Sequence, residues 1–153
     1  MSDRTEHRAE GRLEGRCLCG AVEMLVDGGH TACVDACHCA MCRRWAGTVF
    51  TGFDADADAF SWTGEVARFA SSGMAERVFC PRCGSHLWFR LTGDADAPYE
   101  LAPGLFPGAA GFPLVSEIFI DAAMASARLA GTHPTRTRAD WEAENAHVEG
   151  DDP

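Results

Sequence analysis

Phe79-Cys80-Pro81-Arg82-Cys83-Gly84-Ser85 is a turn carrying two thiols separated by two residues, and it is the last of three such clusters in the chain. The others are Cys17-x-Cys19 and Cys37-x-Cys39-x-x-Cys42. A short loop can fold thiolates at these spacings onto one ion, with sulfur about 2.3 Å from zinc. Two pairs and a triplet make seven ligands out of the eight cysteines present. Seven divides as four plus three: four thiolates close a structural site, whereas three leave a coordination position for water or substrate. The competing use of eight cysteines is four disulfides in a secreted chain. The charged start, Met1 to Arg16, has no apolar signal core, and the Cys-x-Cys spacings suit metal better than bridges.

The chain has 153 residues, enough for one domain with a real core and too few for two comfortable ones. Its 16 glycines and 7 prolines point to many turns and to short rather than long helices. A formal charge of −10 gives no source for phosphate attraction, so nucleic acid is not an expected partner. No apolar run approaches the roughly 20 residues that span a bilayer, so no membrane partner is expected and a cytoplasmic location is. A symmetric homodimer is compatible with base rates for soluble proteins.

Residues 1–12 are polar with mixed charge and read as a flexible lead-in; residues 132–153 read as a polar, acidic C-terminal tail. In that tail Trp141 either pins the segment to the body or is carried loosely. Residues 13–131 between them read as one mainly β domain with short helical turns. Ala21 to Val26 alternates as a half-buried strand, and His30 to Ala36 is expected to return as its hairpin partner. Ala40 to Trp45 suits a helical turn bearing Cys42, with Thr48 to Phe53 a strand. Asp54 to Asp58 reads as a surface loop, and Phe60–Trp62 with Val66–Ala70 as a hairpin. Arg77–Phe79 enters the last knuckle, and His86–Leu91 leaves it. Leu101 to Pro113 is a Gly/Pro-rich loop, and Leu114 to Ile120 a β-branched and aromatic core strand.

The stretches Gly15-Arg16-Cys17-Leu18-Cys19-Gly20-Ala21-Val22, Cys37-His38-Cys39-Ala40-Met41-Cys42-Arg43-Arg44 and Phe79 to Ser85, taken in order and spacing, resemble the glutathione-dependent formaldehyde-activating enzyme family. The likeness runs from about Leu13 to about Ile120. The resemblance implies a β-rich, Mss4-like fold with two zinc ions per chain. It implies that Cys17, Cys19, Cys80 and Cys83 hold a structural zinc, and that Cys37, Cys39 and Cys42 hold a second, more reactive one, easily stripped or oxidised. It also implies a carbon–sulfur lyase or thiol-adduct-forming activity like that of S-(hydroxymethyl)glutathione synthase, with a small thiol such as glutathione as partner and formaldehyde as carbon substrate. A non-catalytic zinc-knuckle interaction module and a thiol redox sensor are the competing classes. Three thiolates give the second centre a net negative charge, which favours delivery of a thiolate over activation of a carbonyl.

The residues around that centre carry two readings each. Arg43 and Arg44 either meet a substrate carboxylate, or else balance thiolate charge or sit in solvent. Ser71, Ser72 and Arg77 match a polar stretch preceding the last knuckle in the family, and either line the pocket or cap a turn. His86 is a candidate proton shuttle, or else a strand residue at a sheet edge. Glu117, in an apolar strand, needs a partner: an arginine, or a place near the metal as a base. Strand alternation turns His38 away from the sulfurs of Cys37 and Cys39, making it an outer or exposed histidine. Cys33 reads as a buried core thiol, with redox pairing to Cys37 as the other option. Trp45 is core or the roof of a pocket, and His7, His30, His133 and His147 carry no signal.

Overall fold

The computed structural model describes residues 4–146. His147 and the acidic end of the chain lie outside the described residues. Its first regular element after a short 3₁₀ turn is β1 (Arg8–Arg16), which pairs antiparallel along its whole length with β2 (Glu23–Thr31). The segment expected as a flexible lead-in therefore contains much of a strand. Its polarity hides it from a hydrophobic pattern: only Leu13 packs on the core, and backbone pairing supplies the rest. The hairpin turn between β1 and β2 is the first cysteine knuckle. Gly20, at φ 78°, takes the left-handed conformation that lets its N–H donate to the Cys17 carbonyl.

β3 (Val34–Cys37) does not fold back on β2 as the sequence suggests. It pairs antiparallel with β4 (Phe50–Ala55) and parallel with β10 (Leu114–Ile118), after a turn beyond Thr31. α1 (Ala40–Ala46) lies between β3 and β4. β5 (Phe60–Thr63) joins the distant β2, and β6 (Ala67–Ala70) forms a hairpin with the next strand, β7 (Ala75–Phe79), so the expected β5–β6 hairpin is absent. β8 (His86–Leu91), β9 (Tyr99–Leu101) and β11 (Thr135–Arg136) complete a mainly β sheet whose order is β11-β10-β3-β4-β9-β8-β7-β6, with β1, β2 and β5 branching off. Asp54 and Ala55, read as part of a loop, are strand residues. β10 ends at Ile118 rather than Ile120, because Phe119 adopts φ 55°, a conformation uncommon for a bulky side chain.

Strand alternation gives this sheet two different faces. Phe53, Val78, Trp88 and Leu101 are cross-strand neighbours of 0% exposure, and they pack with Val22, Met24, Val26, Phe60 and Phe106 as the main core. Phe106 comes from the Gly/Pro-rich segment, which forms 3₁₀ turns over that core. The opposite face presents Arg77, Phe89, Glu100 and Asp54 as a second transverse row, directly paired from β7 to β8, β9 and β4. This second face is the floor of the site. The tail contributes too: Thr137 caps α2 (Arg138–Glu144) in a capping box with Asp140, and Trp141 packs on Phe119 with ring centroids 5.2 Å apart. Trp141 thus pins the described part of the C-terminal segment, which adds β11 and α2 to the folded body.

Candidate active site

The seven knuckle cysteines gather into the two groups the resemblance implies. Cys17, Cys19, Cys80 and Cys83 form one, Cys37, Cys39 and Cys42 the other, and in each the sulfurs lie within 4.8 Å of one another. The four-cysteine group joins the turn of the β1–β2 hairpin to the turn of the β7–β8 hairpin. In the second turn Gly84, at φ 77°, donates to the Cys80 carbonyl, and the Cys80 N–H donates to Ser85. Ser85 ties the two turns together, accepting from the Leu18 N–H at 3.1 Å and lying 3.2 Å from Cys83 Sγ. The sulfur separations of 3.6 Å (Cys17–Cys19) and 3.8 Å (Cys19–Cys80) match the edge of about 3.8 Å expected for a tetrahedron with 2.3 Å metal–sulfur bonds. The donor set fits a closed thiolate metal site.

The three-cysteine cup is local. Cys37 ends β3, Cys39 is the N-cap of α1 and accepts from the Cys42 N–H at 3.4 Å, and Cys42 sits in the first helical turn. Cys39 and Cys42 are buried beside Phe50 and Phe119. Hydrogen bonds from Cys37 and then Cys42 hold the Cys39 thiol far below its ordinary pKa, while bonding to Cys39 and Cys42 and then burial push Cys37 well above its own. A cup of this kind concentrates negative charge on sulfur, and a soft cation fits it.

This cup opens into a cavity of about 520 Å³, a size typical of small-molecule sites. Arg77 lies on its floor at 3% exposure, donating from Nη2 to Cys42 Sγ at 3.5 Å, with its guanidinium 5.0 Å from the centre of the Phe89 ring. Its Nη1 is buried without a hydrogen-bond partner among the described residues. Ser71 and Ser72 stand at the cavity edge and also form the β6–β7 turn: the Ser71 N–H donates to the Ala75 carbonyl, and Ser72 Oγ accepts from the Met74 N–H. Both readings of these serines therefore hold at once. Phe119 and Trp141 wall the cavity on the α2 side.

Other candidates fall elsewhere. Arg43 and Arg44 lie outside the cavity lining, Arg43 half-buried and Arg44 exposed. His86 accepts from Trp45 Nε1 at 2.7 Å and is not at a sheet edge, since β8 runs between β7 and β9. Burial, with the Arg77 charge second, lowers its pKa to about 4, so it is a neutral acceptor at pH 7 rather than a shuttle. Trp45 stacks on Phe69 and does not roof the cavity. Cys33 is buried at 0% exposure, as a core thiol should be.

Glu117 pairs with neither an arginine nor the cup. At 2% exposure it accepts from His38 Nε2 at 2.6 Å and from His133 Nε2, so it braces the Cys37–Cys39 knuckle from behind. Burial alone would raise its pKa; the His133 and His38 hydrogen bonds outweigh that and leave it below the ordinary carboxylate value. His38 is wholly buried rather than exposed, and His133, which carried no signal in the sequence, is part of the same brace. Sequence reading also missed Arg4, Asp35 and Glu100, which line the cavity, and Asp54, which stands opposite Glu100. Arg4 ion-pairs with both Asp35 and Asp54. Sheet register brings the three acids together and the N-terminal 3₁₀ turn adds Arg4, and no local motif announces them.

A mainly β sheet carrying a closed four-cysteine cluster and a three-cysteine cup facing a cavity defines a protein able to hold two thiophilic metal ions. The model of the glutathione-dependent formaldehyde-activating enzyme family matches residues 12–122, and the chain belongs to that family. An uncharacterized lyase of Schizosaccharomyces pombe is 33% identical over 111 residues, covering 71% of this chain and 78% of that protein. A Halomonas elongata protein, whose name places it provisionally among the glutathione-dependent formaldehyde-activating enzymes, is 35% identical over 85 residues, 50% of this chain and 54% of that one. Among solved structures, a Rhodobacter sphaeroides protein superposes with TM-score 0.52 at 21% identity, over 67% of this chain and 99% of that chain, a likeness of fold alone. No helix among the described residues is long and apolar enough to cross a membrane.

Proposed function

We propose that this protein is a zinc-dependent enzyme that makes or breaks the carbon–sulfur bond of a thiol–aldehyde adduct, with glutathione and formaldehyde as the leading pair. The observation that carries this reading is the opening of the three-cysteine cup into a cavity beside a buried, incompletely partnered arginine. An interaction module would have no need of that space. The family and the Halomonas relative, both named for glutathione and formaldehyde, supply the choice of substrates.

Cys37, Cys39 and Cys42 would hold the ion, and a zinc ion bound there offers a coordination position in which an incoming thiol is ionised at neutral pH. The protein's own residues do the rest. Arg77, already bonded to Cys42 Sγ, offsets the negative charge of the cup and turns its second face to the ligand. A guanidinium in this setting suits a thiolate or a carboxylate, both of which glutathione provides. Ser71 and Ser72 offer hydroxyls at the edge for a peptide-like ligand. Phe89, Phe119 and Trp141 supply apolar walls that limit water, against which a reversible adduct would otherwise be lost. A reducing compartment such as the cytoplasm would keep these thiols competent.

The test is the rate at which formaldehyde and glutathione exchange with S-hydroxymethylglutathione, followed by NMR exchange spectroscopy. Acceleration by the native protein, abolished in Cys39→Ser, supports the reading. No acceleration over the uncatalysed rate by metal-loaded native protein would refute it.

A further inference from the structure

We infer that Glu100 is the proton relay of this site: its carboxyl takes the S–H proton of the incoming thiol and hands it to the aldehyde oxygen. The inference rests on the function proposed above and adds a residue that neither the cysteine pattern nor the family likeness singles out.

Glu100 stands in the transverse row of the cavity floor, directly opposite Phe89 on one side and Asp54 on the other. Its side chain lies over Gly52 of β4, where a Cβ would fall 2.5 Å from Glu100 Cγ and 2.7 Å from Oε1. No other residue type could stand at position 52 and leave the carboxyl where it is. Gly52 pairs with Asp35, and Cys37 is the next residue along β3 on the same face, opposite Phe50. Diagonal neighbours of this kind are about 7–8 Å apart. A carboxyl resting on Gly52 and a small adduct held at the cup can therefore meet in the one cavity that both line.

Charge points the same way. The groups facing Glu100 are Asp54 on β4, Asp35 on β3, Arg77 on β7 and Arg4 from the N-terminal turn. Arg4 is engaged by Asp35 and Asp54, and among the described residues Glu100 has no salt bridge. Burial first, then the Asp54 and Asp35 charges, push its pKa up to about 7 against the opposing pull of Arg4 and Arg77. A group that must both accept and release a proton works best with a pKa near the operating pH.

The step balances without a net proton. The S–H bond breaks and its proton passes to the Glu100 carboxylate. The sulfur electron pair forms the carbon–sulfur bond, the carbonyl π pair moves onto oxygen, and oxygen takes the proton from Glu100. The carboxylate is thereby restored, and adduct breakdown is the same sequence reversed.

Glu100→Gln keeps the size of the side chain and has no proton to relay. The expected result is a fall of about a hundredfold or more in kcat/KM, equal for formation and breakdown, with glutathione affinity and metal content unchanged. The bend of native kcat/KM near pH 7 should also disappear. Native activity with a native pH profile in Glu100→Gln would overturn the relay. A ¹³C-NMR titration of the native carboxyl, assigned by its absence in Glu100→Gln, decides the matter apart from turnover. A midpoint near 7 that moves when glutathione is added supports the relay, and a midpoint in the ordinary carboxylate range overturns it. Inactivity of native protein with every thiol–aldehyde pair would instead sink the proposed function, leaving the carboxyl titration to judge Glu100.

Discussion

The two cysteine clusters share a ligand type and differ in everything that surrounds it. The four-cysteine cluster draws its ligands from two hairpin turns more than sixty residues apart, with Cys17 and Cys80 buried and Cys19 exposed. Its sulfurs are fixed by backbone hydrogen bonds of tight turns. The three-cysteine cup uses six consecutive residues at the junction of β3 and α1, is braced from behind by His38 and Glu117, and looks into a cavity. An ion in the first place closes a long loop and so belongs to folding. An ion in the second closes almost no loop, so its removal costs the fold little and the site is available for chemistry. Sequence separation of the ligands, more than their identity, decides which task a thiolate cluster can perform.

That contrast can be broken by experiment. The largest expected effect is in Cys80→Ser: binding of a structural zinc is worth about 10–16 kcal/mol in small domains, comparable with the whole stability of a domain of about 5–15 kcal/mol. Circular dichroism should show an unfolded chain. Cys39→Ser should remain folded, with one metal fewer and no activity; if it unfolds as completely as Cys80→Ser, the division of labour fails. Arg77→Ala should weaken glutathione binding by about tenfold or more, as expected for losing a charge-assisted hydrogen bond of about 1.5–3 kcal/mol, read by calorimetry. Arg43→Ala, outside the cavity, should leave that affinity unchanged.

Two acids, the buried Glu117 and the half-buried Glu100, extend the comparison with opposite signs. Glu117 has a lowered pKa, so its contribution to stability is present above the ordinary carboxylate value of 4.5 and is lost as pH falls through its folded value. Glu117→Ala, which orphans His38 and His133, should cost about 1–3 kcal/mol for each unsatisfied partner near pH 7 and less in acid. Glu100 has a raised pKa, so its ionisation destabilises the fold increasingly as pH rises from 4.5 through about 7. Glu100→Gln should therefore melt higher than the native protein at pH 8, with the gap closing at pH 5. Urea midpoints and melting temperatures across that range check both directions.

The two cysteine clusters were legible because cysteine spacing is a local signal. Cys37-x-Cys39-x-x-Cys42 announces a cup whatever the fold, and the turn glycines beside Cys19 and Cys83 announce knuckles. The sheet was less legible. β1, polar on both faces, is held by backbone pairing that leaves no hydrophobic pattern. β5 and β6 looked like a hairpin because a glycine lay between them, yet β5 pairs with β2, where Phe60 and Trp62 pack on Trp88, and β6 pairs with the next strand, β7. The cavity floor was the least legible part. Arg77, Phe89, Glu100 and Asp54 come from four strands, and only the final register aligns them. Glu117 was rightly flagged as needing a partner, but His133 reaches it only through the parallel pairing of β10 with β11.

The central claim is that one cluster holds the fold and the other receives a thiol. Zinc content per chain, measured for native protein and Cys39→Ser under reducing conditions and joined to the zinc X-ray absorption spectrum with and without glutathione, tests it most directly. The account requires two zinc ions in the native protein, one in a still-folded Cys39→Ser, and an added sulfur neighbour when glutathione binds the native protein alone. A single zinc in both proteins, with a spectrum indifferent to glutathione, would contradict it.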